Sequence, residues 1–195
     1  MSFEFLSRAT DKGPYPMVFN IDPSEILQRA KNIKLLLLDV DGVLTAGELF
    51  LTDSGEEIKA FNTLDGQGIK LLQSEGIQVG IISGRRSSLV SRRAENLGIK
   101  LVIQGREDKL NALAEICASS GFSAAQIAFV GDDLPDIKVI KAVQLGFAVD
   151  NAHQSVKRTA HAITQKSGGN GAVREVCDFI LQAQEKYENA IAAFL

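Results

Sequence analysis

Asp39 and Asp41 leave a run of four leucines, Leu35–Leu38, and Gly42 follows at once. Four consecutive leucines read as a strand buried on both faces, too short to cross a membrane and too uniform to be half exposed. Side chains alternate along a strand, so residues two apart lean the same way. Two carboxylates leaving a hydrophobic sheet together repel each other unless a cation or a proton lies between them. Gly42 lets the chain turn there. Further polar groups follow other apolar runs: Ser83, Gly84 and Arg85 after 79–82, and Gly131, Asp132, Asp133 and Asp136 after 127–130. Lys109 opens a helical pattern shortly after the run 101–103. Ser83-Gly84 alone is a turn and Lys109 alone a solvated helix residue. Gathered at one sheet edge, the set suits phosphoryl transfer. Carboxylate oxygens suit Mg²⁺, while a lysine, a hydroxyl and loop N–H groups can hold phosphate oxygens. One aspartate can attack phosphorus, and another can protonate the leaving oxygen and later activate water.

The elements that must position these residues are legible in the spacing. A helix is expected from Asp22, with Pro23 at its first position and Glu25 three residues after the cap. Short β-prone runs at 48–52 and 57–62 flank Asp53-Ser54-Gly55-Glu56, which predicts a hairpin. Beyond it, helical and strand patterns alternate: helix 69–73, strand 79–82, helix 89–97, strand 101–103, helix 110–117, strand 127–130, a short helix from Ile137, strand 146–149, a small edge strand at Ala162-Ile163, and a last helix through Val173, Val176, Cys177, Ile180 and Leu181. Such alternation implies an α/β fold whose parallel sheet carries helices on both faces, with ligands at the carboxyl ends of the strands. Three segments follow: an N-terminal arm and helix (1–33), a catalytic domain (34–184) with a hairpin insertion (47–62), and a C-terminal tail (185–195). Gly13-Pro14-Tyr15-Pro16 marks a loop in the arm, which is expected to be loosely held.

Composition narrows the classes. A length of 195 residues with 45% hydrophobic content supports one ordinary domain with a real core. The net charge of −3 gives no reason to expect a nucleic-acid or membrane partner. The first residues lack the basic start and apolar centre of a signal peptide, so a cytoplasmic protein is expected. Cys117 and Cys177 fall in amphipathic helical patterns and read as free thiols. His153 and His161 read as solvated or helix-capping. On helical spacing Arg85 and Arg92 would share one face and Arg86 and Arg93 another, so their charge is split.

At the residues quoted above the chain resembles the haloacid dehalogenase superfamily of phosphatases, a Rossmann-like fold. Asp39-Val40-Asp41-Gly42-Val43-Leu44-Thr45 is similar to its first motif, Ser83 to its second, Lys109 to its third and Gly131-Asp132-Asp133 to its fourth. The resemblance implies Asp39 as nucleophile, Asp41 as general acid and base, and Mg²⁺ held by Asp39, the main-chain carbonyl of Asp41, and Asp132. It implies that Asp133 supports the metal from behind, and that Ser83, Gly84 and Lys109 bind the phosphoryl group. The strings 55–62, 65–69 and 168–178 narrow the resemblance to phosphatases of eight-carbon keto-deoxy sugar acid phosphates in lipopolysaccharide biosynthesis. Their substrate contacts fall on Asp41, Asn62, Thr63, Leu64, Asp65, Gly66, Lys70, Arg85, Arg93 and Lys109. Lys70 and Leu64 stand where that group often has arginine and a basic residue, and Ser83 where it often has threonine. Lysine keeps the charge of arginine without its bidentate geometry. A nine-carbon sugar acid phosphate is the alternative substrate.

No large cap can fit, because only about 20 residues separate Lys109 from Gly131, and the insertion after Asp41 is one hairpin, marginal on its own. A second subunit is therefore expected to close the pocket, and the resemblance implies a homotetramer with active sites at subunit interfaces. The rivals are an open phosphatase acting on a macromolecule and a binding module that has lost catalysis.

Overall fold

The computed structural model describes residues 17–195. The loop at 13–16 and most of the expected arm lie outside the described residues. Strand β2 (Leu35–Leu38) is completely buried along its length. It pairs in parallel with β5 (Gln78–Ser83) on one side and β7 (Ile127–Gly131) on the other. Outward from β5 lies β6 (Leu101–Gln104), and outward from β7 lie β8 (Leu145–Ala148) and β9 (Ala162–Ile163), all parallel. The chain thus leaves β2 toward one edge of the sheet and returns to its other side. Reversals of this kind open a crevice at the carboxyl ends of the strands.

The sheet does not end at Ala162-Ile163 as expected. Strand β1 (Val18–Phe19) pairs antiparallel with β9 and forms the edge, giving seven strands in the order β1-β9-β8-β7-β2-β5-β6. Two residues are too few to show a period, and only the pairing reveals this strand. The hairpin forms a separate two-stranded sheet of β3 (Phe50–Leu51) and β4 (Glu57–Ile58).

Helix α1 (Pro23–Ala30) starts where its cap predicts, with the Asp22 carboxylate accepting from the N–H groups of Ser24 and Glu25. Helix α2 (Thr63–Ser74) begins six residues earlier than its apolar period indicates, capped by Asn62, whose Oδ1 accepts from Leu64 N at 2.8 Å. Helix α3 (Ser88–Asn96) starts after Arg85 and Arg86, so the helical-face argument does not apply to those two. Helices α4 (Lys109–Ser120), α5 (Ile137–Ala142) and α6 (Gln154–Thr159) pack in sequence on one side of the sheet. Helix α7 (Ala172–Ala183) packs along α2 on the other, with α1 and α8 (Tyr187–Ile191) beside them. Lys186 and Asn189 bond to Glu75, and Ala190 is buried, so residues 186–190 rest on the end of α2.

Cys117 and Cys177 are both free. His153 caps α6, accepting from Ser155 N at 3.1 Å. His161 instead is half-buried: its Nδ1 accepts from Gly146 N at 2.8 Å, and Arg29 lies beside its other nitrogen. Among the described residues no helix is long and apolar enough to cross a membrane.

Candidate active site

Three adjacent strands deliver the chemistry to one edge. Asp39 follows β2, Ser83 ends β5, and Asp132 follows β7. Asp39 N donates to Val130 O at 3.1 Å, which fixes the level of the first aspartate against the strand carrying the second. A short 3₁₀ turn, Leu134–Asp136, then folds Asp136 back beneath Asp132, where its carboxylate accepts from Asp132 N at 2.9 Å. Asp39, Asp132 and Asp136 thereby place one carboxylate oxygen each within 4.8 Å of one another.

Lys109 enters this cluster from the start of α4. Its Nζ lies 2.8 Å from Asp39 Oδ1 and 2.6 Å from Asp136 Oδ1, almost wholly buried. Burial alone would lower its pKa, but the two carboxylates outweigh burial and hold the ammonium above the usual lysine value. One cation cannot serve three clustered acids, two of them buried and the third half-buried. Burial lifts Asp39 to about 6, with Lys109 opposing and Asp136 adding to the rise, and burial followed by the charges of Asp39 and Asp136 lifts Asp132 to about 8. Asp132 Oδ1 is buried with no hydrogen-bond partner among the described residues. An orphaned buried oxygen amid an all-carboxylate donor set fits Mg²⁺, which takes oxygen ligands and would relieve the repulsion.

The turn after Asp39 is held open by glycine. Gly42 has φ +93°, and a side chain there would overlap the Asp132 carboxylate. From the far end of the chain, the loop 168–171 presses on the same turn. Gly169 N donates to Val43 O at 2.9 Å, and a Cβ on Gly168 would overlap Gly42 O.

The other expected residues divide. Asp41 is partly exposed and bonded to Lys59, while Arg85 Nε stands 3.9 Å from its Oδ2. Ser83 is buried at the strand end and Gly84 follows it into the turn. Asp133 is exposed and stands outside the carboxylate group, which Asp136 completes instead. Asp65 is buried, and its oxygens accept from Arg174 N at 2.8 Å and Gly171 N at 3.4 Å, capping α7. Asn62 Nδ2 donates to Gly169 O at 3.1 Å, and Arg93 donates to Asn62 O at 3.1 Å while lying over the Phe61 ring. Gly66 is buried against Arg93, whereas Thr63, Leu64 and Lys70 are exposed. Two residues to which the sequence assigns no individual role also stand in the site, Asp136 and Lys59. Asp136 was signalled only by being a third acid in the segment after β7. For Lys59 no local pattern exists.

A parallel α/β sheet bearing an acid cluster, a buried lysine and a hydroxyl at its carboxyl edge, without a large cap, is a haloacid dehalogenase-type hydrolase fold. The family model for haloacid dehalogenase-like hydrolases matches residues 102–176. The chain is 48% identical over 166 residues to the 3-deoxy-D-manno-octulosonate 8-phosphate phosphatase of Yersinia pestis, covering 85% of this chain and 89% of that protein. It belongs to the 3-deoxy-D-manno-octulosonate 8-phosphate phosphatase family. Among solved structures, a probable YrbI family phosphatase from Pseudomonas syringae is 51% identical with a TM-score of 0.86, covering 88% of this chain and 97% of that one. The Moraxella catarrhalis 3-deoxy-D-manno-octulosonate 8-phosphate phosphatase, in complex with magnesium, phosphate and the sugar acid KDO, is 44% identical with a TM-score of 0.87, covering 89% and 100%.

Proposed function

We propose that this chain is a Mg²⁺-dependent phosphatase that converts 3-deoxy-D-manno-octulosonate 8-phosphate to the free sugar acid and inorganic phosphate, within lipopolysaccharide biosynthesis in the cytoplasm. The observation that carries the reading is the cluster of Asp39, Lys109, Asp132 and Asp136 at the sheet edge, with Asp41 two residues beyond Asp39.

Asp39 attacks phosphorus, the bond from phosphorus to the sugar oxygen breaks, and the electron pair leaves with that oxygen. Asp41 supplies the proton that the departing oxygen needs. In the second half Asp41 takes a proton from water, the water oxygen attacks phosphorus, and the bond to Asp39 breaks. Phosphate leaves, Asp39 is regenerated and Asp41 holds its proton again. Lys109 and Ser83 hold the phosphoryl oxygens. Mg²⁺, held by Asp39, Asp132 and the Asp41 carbonyl, would neutralise charge between the nucleophile and the phosphoryl group.

Arg85, half exposed beside Asp41, is placed to meet the sugar acid's carboxylate. The hairpin exposes Leu49, Phe50, Leu51 and Ile58 together. An apolar group of this kind supports assembly into a homotetramer that completes each pocket with a neighbour. Thr63 and Leu64, exposed at the start of α2, and Lys70, exposed about two turns further along it, are available to that shared pocket. Phosphate release from eight-carbon and nine-carbon keto-deoxy sugar acid phosphates and from a phosphopeptide, with Mg²⁺ and after chelation, tests the reading. Activity should be highest on the eight-carbon compound and vanish on chelation. Preference for the phosphopeptide, or undiminished turnover without metal, would overturn it.

A further inference from the structure

Lys59 combines two features that do not ordinarily go together. It lies just after β4, on a hairpin whose Phe50, Leu51 and Ile58 are more than half exposed, yet its own side chain is only 2% exposed. Its ammonium bonds to Asp41 Oδ1 and lies 3.2 Å from Glu57 Oε1. Glu57 and Lys59 are two residues apart on an extended segment and so reach in the same direction. Glu57 in turn accepts from Arg85 at 2.8 Å. A lysine is buried only where its charge is met, and here it is met by Asp41 and by the carboxylate that also holds Arg85.

We infer that Lys59 is a positioning residue for Asp41: by binding Oδ1 it fixes the carboxyl rotamer so that Oδ2 is the oxygen that passes a proton to the departing sugar oxygen. Oδ2 has no hydrogen-bond partner among the described residues, and Arg85 Nε stands 3.9 Å from it, beyond hydrogen-bond distance. Without the ammonium, Asp41 and Glu57 face each other as like charges, and the Asp41 side chain rotates away. The hairpin therefore supplies a part of the chemistry as well as an apolar surface.

This inference rests on the reading of Asp41 as the proton donor, and the leaving group separates the two. A nitrophenolate departs without a proton, whereas an alkoxide needs one. In the full-length protein with Mg²⁺, kcat/KM is measured for glycerol 3-phosphate and for 4-nitrophenyl phosphate. Lys59→Met should lower the alkyl-to-aryl ratio by at least about tenfold, a share of the ~10²–10⁴ that proton transfer is worth. Asp41→Asn should lower it further, and Lys59→Arg, which retains a donor, should recover part of it. Should Lys59→Met lose its native circular dichroism, Lys59→Leu, which also lacks a donor, carries the same measurement. A proportional fall on both esters in the Lys59 variants, with the ratio still shifted in Asp41→Asn, overturns the role of Lys59 alone. A ratio unchanged in Asp41→Asn overturns the proton-donor reading and the inference with it.

Discussion

The acid cluster and the hairpin, joined by the short turn after Asp39, are built on opposite terms. The cluster stands on β2 and β7, whose residues are buried throughout, and every group in it is reached by a regular element or a tight turn. The hairpin has two short strands, no further sheet partner among the described residues, and large apolar side chains in solvent. Reaction chemistry tolerates little displacement, so it sits where packing fixes atoms. The hairpin is tied to the rest of the chain by polar contacts instead, Lys59 on Asp41 and Glu57 on Arg85.

Four experiments sharpen that contrast. The largest effect is expected in the cluster: Asp39→Asn should reduce phosphate release by at least about 10⁴-fold, as loss of a covalent nucleophile does, with unchanged far-ultraviolet circular dichroism. Near-normal turnover would show that the rigid region is not the catalytic one. Next, one residue type can be compared across the two regions by denaturant unfolding. Leu37→Ala, within the buried strand, should cost about 2–5 kcal/mol, whereas Leu51→Ala on the hairpin should fall within about 0.5 kcal/mol of the parent for the isolated subunit. Equal losses would erase the distinction.

A charge on the hairpin should affect assembly before stability. Leu51→Asp should shift the mass seen by light scattering toward smaller species and raise KM for the sugar acid phosphate about tenfold, the order of one lost interfacial anchor. An unchanged mass with unchanged KM would remove the hairpin from the pocket. The smallest effect concerns His161. Burial, then the charge of Arg29, lowers its pKa below the usual histidine value. The folded state thus favours the neutral ring, and this contribution is complete above a pH of about 6.5 and lost as the pH falls toward the lowered value. Unfolding midpoints at pH 7.5 and pH 5.5 should differ less for His161→Gln than for the parent. An equal difference would exclude the histidine.

The same contrast governs what the sequence makes visible. The strands of the sheet and the cap of α1 are legible because apolar runs and an Asp before Pro carry local signals. Asp39, Asp132 and Lys109 are legible because each follows or opens such an element. Asp136 is obscured because only the 3₁₀ turn carries it back to Asp132, while Asp133, nearer in sequence, ends in solvent. Lys59 is obscured because its partner lies 18 residues away across a hairpin whose docking is tertiary. The start of α2 is masked by Gly66 and Gly68, which depress helix propensity. Their reason is steric, since a Cβ on Gly68 would lie 2.8 Å from Arg174 Cδ on α7.

The glycine loop at 168–171 has a consequence for synthesis. It reaches back across about two thirds of the chain to the turn at Gly42, with Gly169 N on Val43 O. A ribosome delivers Asp39 and Asp41 early, but the segment that clasps their turn emerges more than a hundred residues later. Contacts of such separation form only after the intervening chain has been closed into place. A nascent chain therefore carries both aspartates long before it has a working site, and hydrolysis waits until the loop at 168–171 has been made and has closed onto their turn.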